Sequence, residues 1–193
     1  MEERENRLIR QAQQGSTGAF AQLVAMHDRR VLQLAYQLLN SARDAEDVYQ
    51  DIFMQVFRKL SSFRFESEFS TWLHRLVVNH CINFRKKRQR RQYQSLDVPR
   101  GGEDDDLALQ PEDEGRDPER TLLNQELGER ISAALDSLSD QQRAVFVLRH
   151  FHGYKMREIA GILACAEGTV KNYLFRATHH LQRKLRAYHE DEI

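Results

Sequence analysis

All three prolines of the chain, Pro99, Pro111 and Pro118, fall in one short stretch of the sequence. Proline breaks a helix interior, because it lacks a backbone donor and clashes with the preceding turn. The proline-free segments on either side are therefore open to long helices, and the stretch between them is not. The same stretch holds Gly101, Gly102 and Gly115, with acidic runs at Glu103–Asp106 and Glu112–Glu114. It has no apolar periodicity and cannot bury enough surface to offset its ordering entropy. Residues 96–124 are expected to be a flexible acidic linker between two domains, 1–95 and 125–193. A length of 193 residues suits two small domains. Neither acidic run has the alternating ligands and central glycine of a calcium loop, so no metal is expected there.

The formal net charge is zero, with 29 basic and 29 acidic groups, but the charges are sorted. Residues 1–95 carry 16 basic and 10 acidic groups, residues 96–130 carry 4 and 12, and residues 131–193 carry 9 and 7. Two basic flanks around an acidic middle leave nucleic-acid binding open. No apolar run approaches a membrane span, and Met1–Glu5 does not read as a signal peptide. Two cysteines, Cys81 and Cys165, form no disulfide framework and fit a reducing cytosol. The expected location is the cytoplasm.

The first flank reads as three or four helices. Phe20, Leu23, Val24, Val31, Leu34, Ala35 and Leu38 recur at steps of three and four. A second helix follows over 42–60, opened by the capping-box form Ser41-x-x-Asp44, with Val48, Ile52, Phe53, Val56, Phe57 and Leu60 on one broad face. A third is expected over 70–88, carrying Trp72, Leu73, Leu76, Val77 and Ile82. No hairpin signal interrupts them, and the fold class is all-α.

The second flank reads as a helix-turn-helix, winged-helix-like but without a wing. Ser139-x-x-Gln142 opens a helix that Gly153 can end in a left-handed conformation. A short helix over 157–164, a turn at 165–167 and a long helix over 168–188 follow. That order suits the placement of a second helix in a major groove. In the long helix Val170, Leu174, Ala177, Leu181 and Leu185 step by three and four. Lys171, Asn172, Phe175 and Arg176 are left on the other side. Arginine and asparagine bond base edges bidentately, lysine contacts phosphate, and Phe175 suits a thymine methyl.

A third cluster is aromatic and basic. Phe63, Phe65, Phe69 and Trp72 lie close together with Arg64, and Arg85, Lys86, Lys87, Arg88, Arg90 and Arg91 follow further on. Stacking platforms plus cations are what single-stranded DNA requires. The plainer reading of Phe69 and Trp72 is core. The acids Asp44, Glu46, Asp47 and Asp51 near a helix N-terminus read first as a solvated end that favours the macrodipole.

Asp44-x-Glu46-Asp47-x-x-Gln50-Asp51-x-Phe53 resembles the A-E-D-x-x-Q-D-x-F segment of bacterial sigma factors of the extracytoplasmic-function (ECF, sigma-E-like) class. Thr71-Trp72-Leu73-x-Arg75…Asn79 resembles that family's T-W-L-x-R-I-A-x-N stretch. Gln142-Arg143…Leu148-Arg149, Gly153-Tyr154, Arg157–Ala160, Gly168–Lys171 and Arg176-Ala177 are similar to its C-terminal motif. Six positions at four places depart from the pattern: Ser139 for proline, Lys155-Met156 for a Ser or Thr cap, Asn172-Tyr173 for Ser-Arg or Ser-His, and Asn83 for aspartate. The departure at Lys155 implies a missing cap on the second helix of the C-terminal domain.

The resemblance implies a subunit that binds core RNA polymerase and directs it to recognise and melt promoter DNA. It assigns polymerase docking to Asp44, Glu46, Asp47, Gln50 and Asp51. It assigns the minus-ten element to Arg64, Phe65, Phe69, Thr71, Trp72, His74, Arg75, Asn79, Asn83 and Arg85. It assigns the minus-thirty-five element to Arg149, Gly168, Thr169, Lys171, Asn172, Phe175 and Arg176. It implies an envelope-stress role, restraint by an anti-sigma factor that is often membrane-anchored, and an acidic linker threaded through the polymerase.

No cofactor, metal, catalytic residue or small-molecule substrate is expected. His150, His152, His179 and His180 lack zinc-ligand partners, and no Walker loop or nucleophile elbow is present. Nucleotidyl transfer would belong to the polymerase. The rival readings are a helix-turn-helix repressor or activator acting without polymerase, and a metal-dependent nuclease using Asp104–Asp106.

Overall fold

The computed structural model describes residues 2–94, 128 and 130–190. Among the described residues the regular elements are helices, and none is strand. The chain divides into two compact units, Met1–Arg100 and Gly101–Ile193. The expected linker, 96–124, lies outside the described residues.

The first unit holds α1 (Glu2–Gln13), α2 (Thr17–Leu39), α3 (Ala42–Lys59), a 3-10 turn (Leu60–Ser62) and α4 (Phe69–Gln94). α2 is its axis and packs against α1, α3 and α4. Leu23, His27, Val31, Leu34, Ala35 and Leu38 are buried along it, at the steps of three and four that the sequence carried. Each such aliphatic side chain contributes roughly 1.5–3 kcal/mol by leaving water. Ser16 caps α2 by accepting from the Ala19 N–H at 3.2 Å. Asn40 ends it in the left-handed region, where its N–H reaches the Tyr36 carbonyl at 2.7 Å.

α1 was not located by the sequence reading. Its three buried residues, Leu8, Ile9 and Ala12, are too few for a strong period. It is fixed instead by tertiary contacts. Glu5 accepts from His27 Nε2 at 2.6 Å, and Gln13 reaches the 3-10 turn.

The second unit holds α5 (130–136), α6 (Asp140–His150), α7 (Met156–Leu163) and α8 (Glu167–Glu190). α5 is the other helix that the sequence reading missed. Its Ala134 and Leu135 join Leu138, Ala177 and Leu181 in one buried cluster, with Ile131 and Phe146 against it. Ser137 donates to the Ala134 carbonyl at 2.6 Å and accepts from His180 Nε2 at 2.8 Å, which ties the end of α5 to α8. Arg143 is fully buried on α6 and pairs with Asp136.

The expected capping box of α6 is present. Ser139 Oγ accepts from the Gln142 N–H at 3.4 Å, and Gln142 Oε1 accepts from the Ser139 N–H at 3.3 Å. Gly153 adopts φ +72°, and the Tyr154 N–H closes on the Leu148 carbonyl at 3.0 Å. The N-cap side chain of α7 is missing, as expected: Lys155 has no acceptor for the first turn. Glu158, one turn in, supplies the reciprocal half of a capping box by accepting from the Lys155 N–H at 2.6 Å. The carboxylate also sits in the first turn, where the macrodipole favours it. α7 ends at Ala164, a non-glycine residue at φ +51°, and the Cys165 N–H returns to the Ala160 carbonyl at 3.0 Å.

Candidate nucleic-acid interface

Three surfaces carry the residues singled out from sequence. The first is the outer face of α3. Val48, Ile52 and Val56 turn inward, which leaves Glu46, Asp47, Gln50 and Asp51 exposed. Asp44 differs from them. Its N–H goes to the Ser41 hydroxyl at 3.2 Å, and its half-buried carboxylate is paired with Arg88 of α4. Further along the helix, Met54 and Phe57 are each 53% exposed. The sequence reading placed Phe57 on the buried face and gave Met54 no role. In the structure Phe57 packs edge-on to Phe20, with ring centroids 5.0 Å apart, and keeps half its surface in solvent. Tyr49 lies 4.9 Å from Phe53 between centroids. Burial first, and then the negative charge of Asp28, raises its phenol pKa, so it stays neutral.

The second surface is the loop between the 3-10 turn and α4, with the outer row of α4. Phe63 is buried at the centre of an aromatic nest. Its ring lies 4.9 Å from Phe65, 5.5 Å from Phe69 and 5.4 Å from Trp72. Phe69 is buried too, 5.3 Å from the His27 ring. His74 is only 4% exposed. Phe69 and His74 lie on the inner side of α4. For Phe69 this is the plainer core reading of the sequence; for both it is at odds with the minus-ten assignment that the resemblance implies, since a buried side chain shapes the unit from within. Trp72 and Thr71 are half-buried, while Arg64 and Phe65 are exposed.

Phe65 is held at φ +59°, a region that a bulky side chain enters only under constraint. Along α4 the exposed row runs Arg75, Asn79, Asn83, Lys86, Lys87 and Arg90, at steps that keep it on one side of the helix. Arg85 lies off this row. It is half-buried and donates to the Leu38 carbonyl at 3.2 Å, near the C-terminus of α2. Its role in the structure is to tie two helices together.

The third surface is α8. Val170, Ala177 and Leu181 face inward. Gly168, Lys171, Asn172, Phe175 and Arg176 form an exposed stripe, and Phe175 is 72% exposed, the most of the large apolar side chains among the described residues. His179 extends the stripe, stacked on Phe175 with centroids 6.3 Å apart. Lys171 pairs with Glu167 one turn earlier at 3.1 Å. Thr169 is half-buried, and its N–H reaches the Ala166 carbonyl at 2.9 Å. Arg149, at the end of α6, is exposed and donates to the Tyr154 carbonyl at 3.0 Å.

Phe175 stands in water amid arginine, lysine and asparagine, residue types that suit a base-pair edge and its phosphates. Among the described residues no group of three or more histidine, cysteine or carboxylate side chains converges to hold a metal ion. No described helix is long and apolar enough to cross a membrane.

Residues 23–91 match sigma-70 region 2, and residues 128–181 match sigma-70 region 4. The RNA polymerase sigma-H factor of Pseudomonas aeruginosa is 31% identical over 186 residues, which is 95% of each chain. The ECF RNA polymerase sigma factor SigW of Bacillus subtilis is 32% identical over 178 residues, covering 92% of this chain and 95% of that one. Among solved structures, the sigma factor RpoE in complex with the anti-sigma factor NepR, from Bartonella quintana, is similar with a TM-score of 0.68. It is 27% identical, over 86% of this chain and 96% of that one. CnrH in complex with the cytosolic domain of CnrY is similar with a TM-score of 0.65 and 26% identity, over 95% and 98% of the two chains. The two matched regions, in this order and over nearly the full length of these relatives, show that the chain belongs to the extracytoplasmic-function class of sigma-70 factors, which bind core RNA polymerase and direct it to promoter DNA.

Proposed function

We propose that the two units divide the work of initiation. The first, 1–95, docks polymerase and opens the minus-ten element. The second, 125–193, grips the minus-thirty-five duplex. The linker 96–124 spans between them. The exposed stripe of α8 is the observation that carries this reading: Phe175, Arg176, Asn172 and Lys171 face solvent, and the partners of Lys171 and Phe175, Glu167 and His179, lie on the same helix. Arg176 reads a guanine edge, Asn172 an adenine edge, and Lys171 a phosphate. Gly168 lets the backbone at the start of α8 approach the DNA, and Thr169 and Arg149 hold the helix end and its flank.

In the first unit, Glu46, Asp47, Gln50 and Asp51 meet a basic surface of the polymerase, and Met54 and Phe57 add apolar area. Asp44 sits at the rim of that patch and serves through Arg88. Phe65, backed by Phe63 and Trp72, receives an unpaired base, and Arg64 holds its phosphate. Arg75, Asn79 and Asn83 track the displaced strand, and Thr71 caps the near end of that row. Capturing a base that has left the stack offsets the cost of opening.

The chain catalyses nothing itself, and it works in the cytoplasm. One solved relative is in complex with an anti-sigma factor and another with the cytosolic domain of CnrY, which supports restraint of this chain in the same manner; an envelope-stress role belongs to the same reading. Run-off transcription with purified core polymerase tests the reading. Promoter-specific transcripts are expected only when the chain is added. Arg176→Ala should change the upstream preference, and Phe65→Ala with Asn79→Ala should block opening. Tight operator binding that is indifferent to polymerase would instead support a repressor.

A further inference from the structure

Gln13 is the last residue of α1, and its amide donates both of its hydrogens to one loop. Nε2 lies 2.9 Å from the Leu60 carbonyl and 2.9 Å from the Phe63 carbonyl. These two carbonyls flank the turn that delivers the chain to Phe65. One turn earlier on α1, the Arg10 guanidinium lies over the Phe65 ring, 5.4 Å from its centroid. Phe65 is the bulky residue held at φ +59°, and such a conformation persists only where its surroundings over-determine it. The surroundings here are Phe63 at 4.9 Å, Arg10 at 5.4 Å, and a preceding turn whose carbonyls are tied to Gln13.

None of these α1 residues lies in the segment that matches sigma-70 region 2, which begins at residue 23. We propose that α1 is a brace that presents Phe65 to the unpaired base, with Gln13 and Arg10 as its positioning residues. The proposal rests on the reading of Phe65 as the base-stacking residue.

The chemistry of the brace is specific. A carboxamide at position 13 supplies two donors to two acceptors. Glutamate, of the same shape, supplies none and places an anion against two carbonyl dipoles, and methionine removes the polarity altogether. Without the two hydrogen bonds the turn relaxes and Phe65 leaves the left-handed region, so the stacking surface is no longer preformed. The cost falls on capture of a flipped base. Polymerase docking on α3 and duplex gripping by α8 use other residues.

The test uses the full chain in holoenzyme with a promoter fragment selected by that holoenzyme from a random library. The fragment is offered as intact duplex and with its minus-ten stretch pre-mismatched. Gln13→Met and Gln13→Glu are expected to weaken binding of the pre-mismatched fragment roughly ten-fold. Closed-complex binding to intact duplex and affinity for core should change less than two-fold. Arg10→Ala removes an exposed side chain and keeps the fold; a smaller loss of the same kind is expected from it.

A parallel fall on both fragments in variants that melt like wild type overturns the proposal. So does unchanged binding of the pre-mismatched fragment. Should the Gln13 variants fail to fold, the Arg10→Ala comparison decides alone by the same two outcomes. Phe65→Ala separates the two readings. If it leaves capture intact, the base-stacking assignment itself fails. If it abolishes capture while Gln13→Met does not, the brace alone fails.

Discussion

Ala164 is a non-glycine residue in a place that suits glycine. It ends α7 at φ +51°, where a Cβ clashes with the following carbonyl and glycine does not. Its sequence neighbours gave no warning, because alanine is the best helix former and the turn was expected only at 165–167. Ala164→Gly should stabilise the second unit by about 0.5–1 kcal/mol, read as a rise of a few degrees in its thermal midpoint. A drop would mean that glycine's freedom in the unfolded chain outweighs the relieved strain. Cys165, the next residue, carries a prediction of opposite character. Burial pushes its thiol pKa above the ordinary value, so the thiolate fraction at neutral pH is depressed. Iodoacetamide should label Cys165 more slowly than a free cysteine at pH 7.5. The rate should keep climbing at alkaline pH where the free thiol has levelled off, as followed by intact mass.

At the scale of the element, apolar periodicity made α2, α3, α4 and α8 legible, while the capping box at Ser139 and Gly153 located α6 and the helix-turn-helix order located α7. α1 and α5 were not legible. Each contributes only two or three apolar side chains and is held by long-range bonds such as Gln13 to Leu60 and Ser137 to His180. His74 on α4 was read as facing outward for a related reason. It sits next to the exposed Arg75, and residue type alone does not tell which of the two faces the core. Caps behave likewise. The missing Ser or Thr at 155 was visible, but the compensating Glu158 required knowing where α7 begins. Glu158→Ala should cost about 1 kcal/mol of the second unit's stability, seen in its denaturation midpoint, and Glu158→Gln should retain most of it.

Asp44 and Arg88 join the starts and ends of two elements. Their exchange, Asp44→Arg with Arg88→Asp, should recover most of the stability of the first unit that either single change loses, read in its denaturation midpoint. Loss of core affinity by Asp44→Ala would instead return Asp44 to the docking face.

At the scale of the whole molecule, a net charge of zero conceals two cationic surfaces, the outer row of α4 and the stripe of α8. Each lysine or arginine that neutralises a phosphate releases condensed counterions. The slope of log K against log salt therefore reports how many cations touch DNA, wherever they sit. Lys171→Ala, in the second unit, and Lys86→Ala, in the first, should each reduce that slope by about 0.9 on an intact promoter duplex. Arg85→Ala should leave it unchanged, because that guanidinium is spent on the Leu38 carbonyl. The double variant, Lys86→Ala with Lys171→Ala, is the decisive one. If both units hold one promoter at once, the two reductions add, to about 1.8. If the units engage DNA one at a time, the double variant shows no more than a single reduction. Holoenzyme binding measured across a salt series distinguishes these, and additive slopes are the expected result if, as proposed, one unit grips duplex while the other opens it.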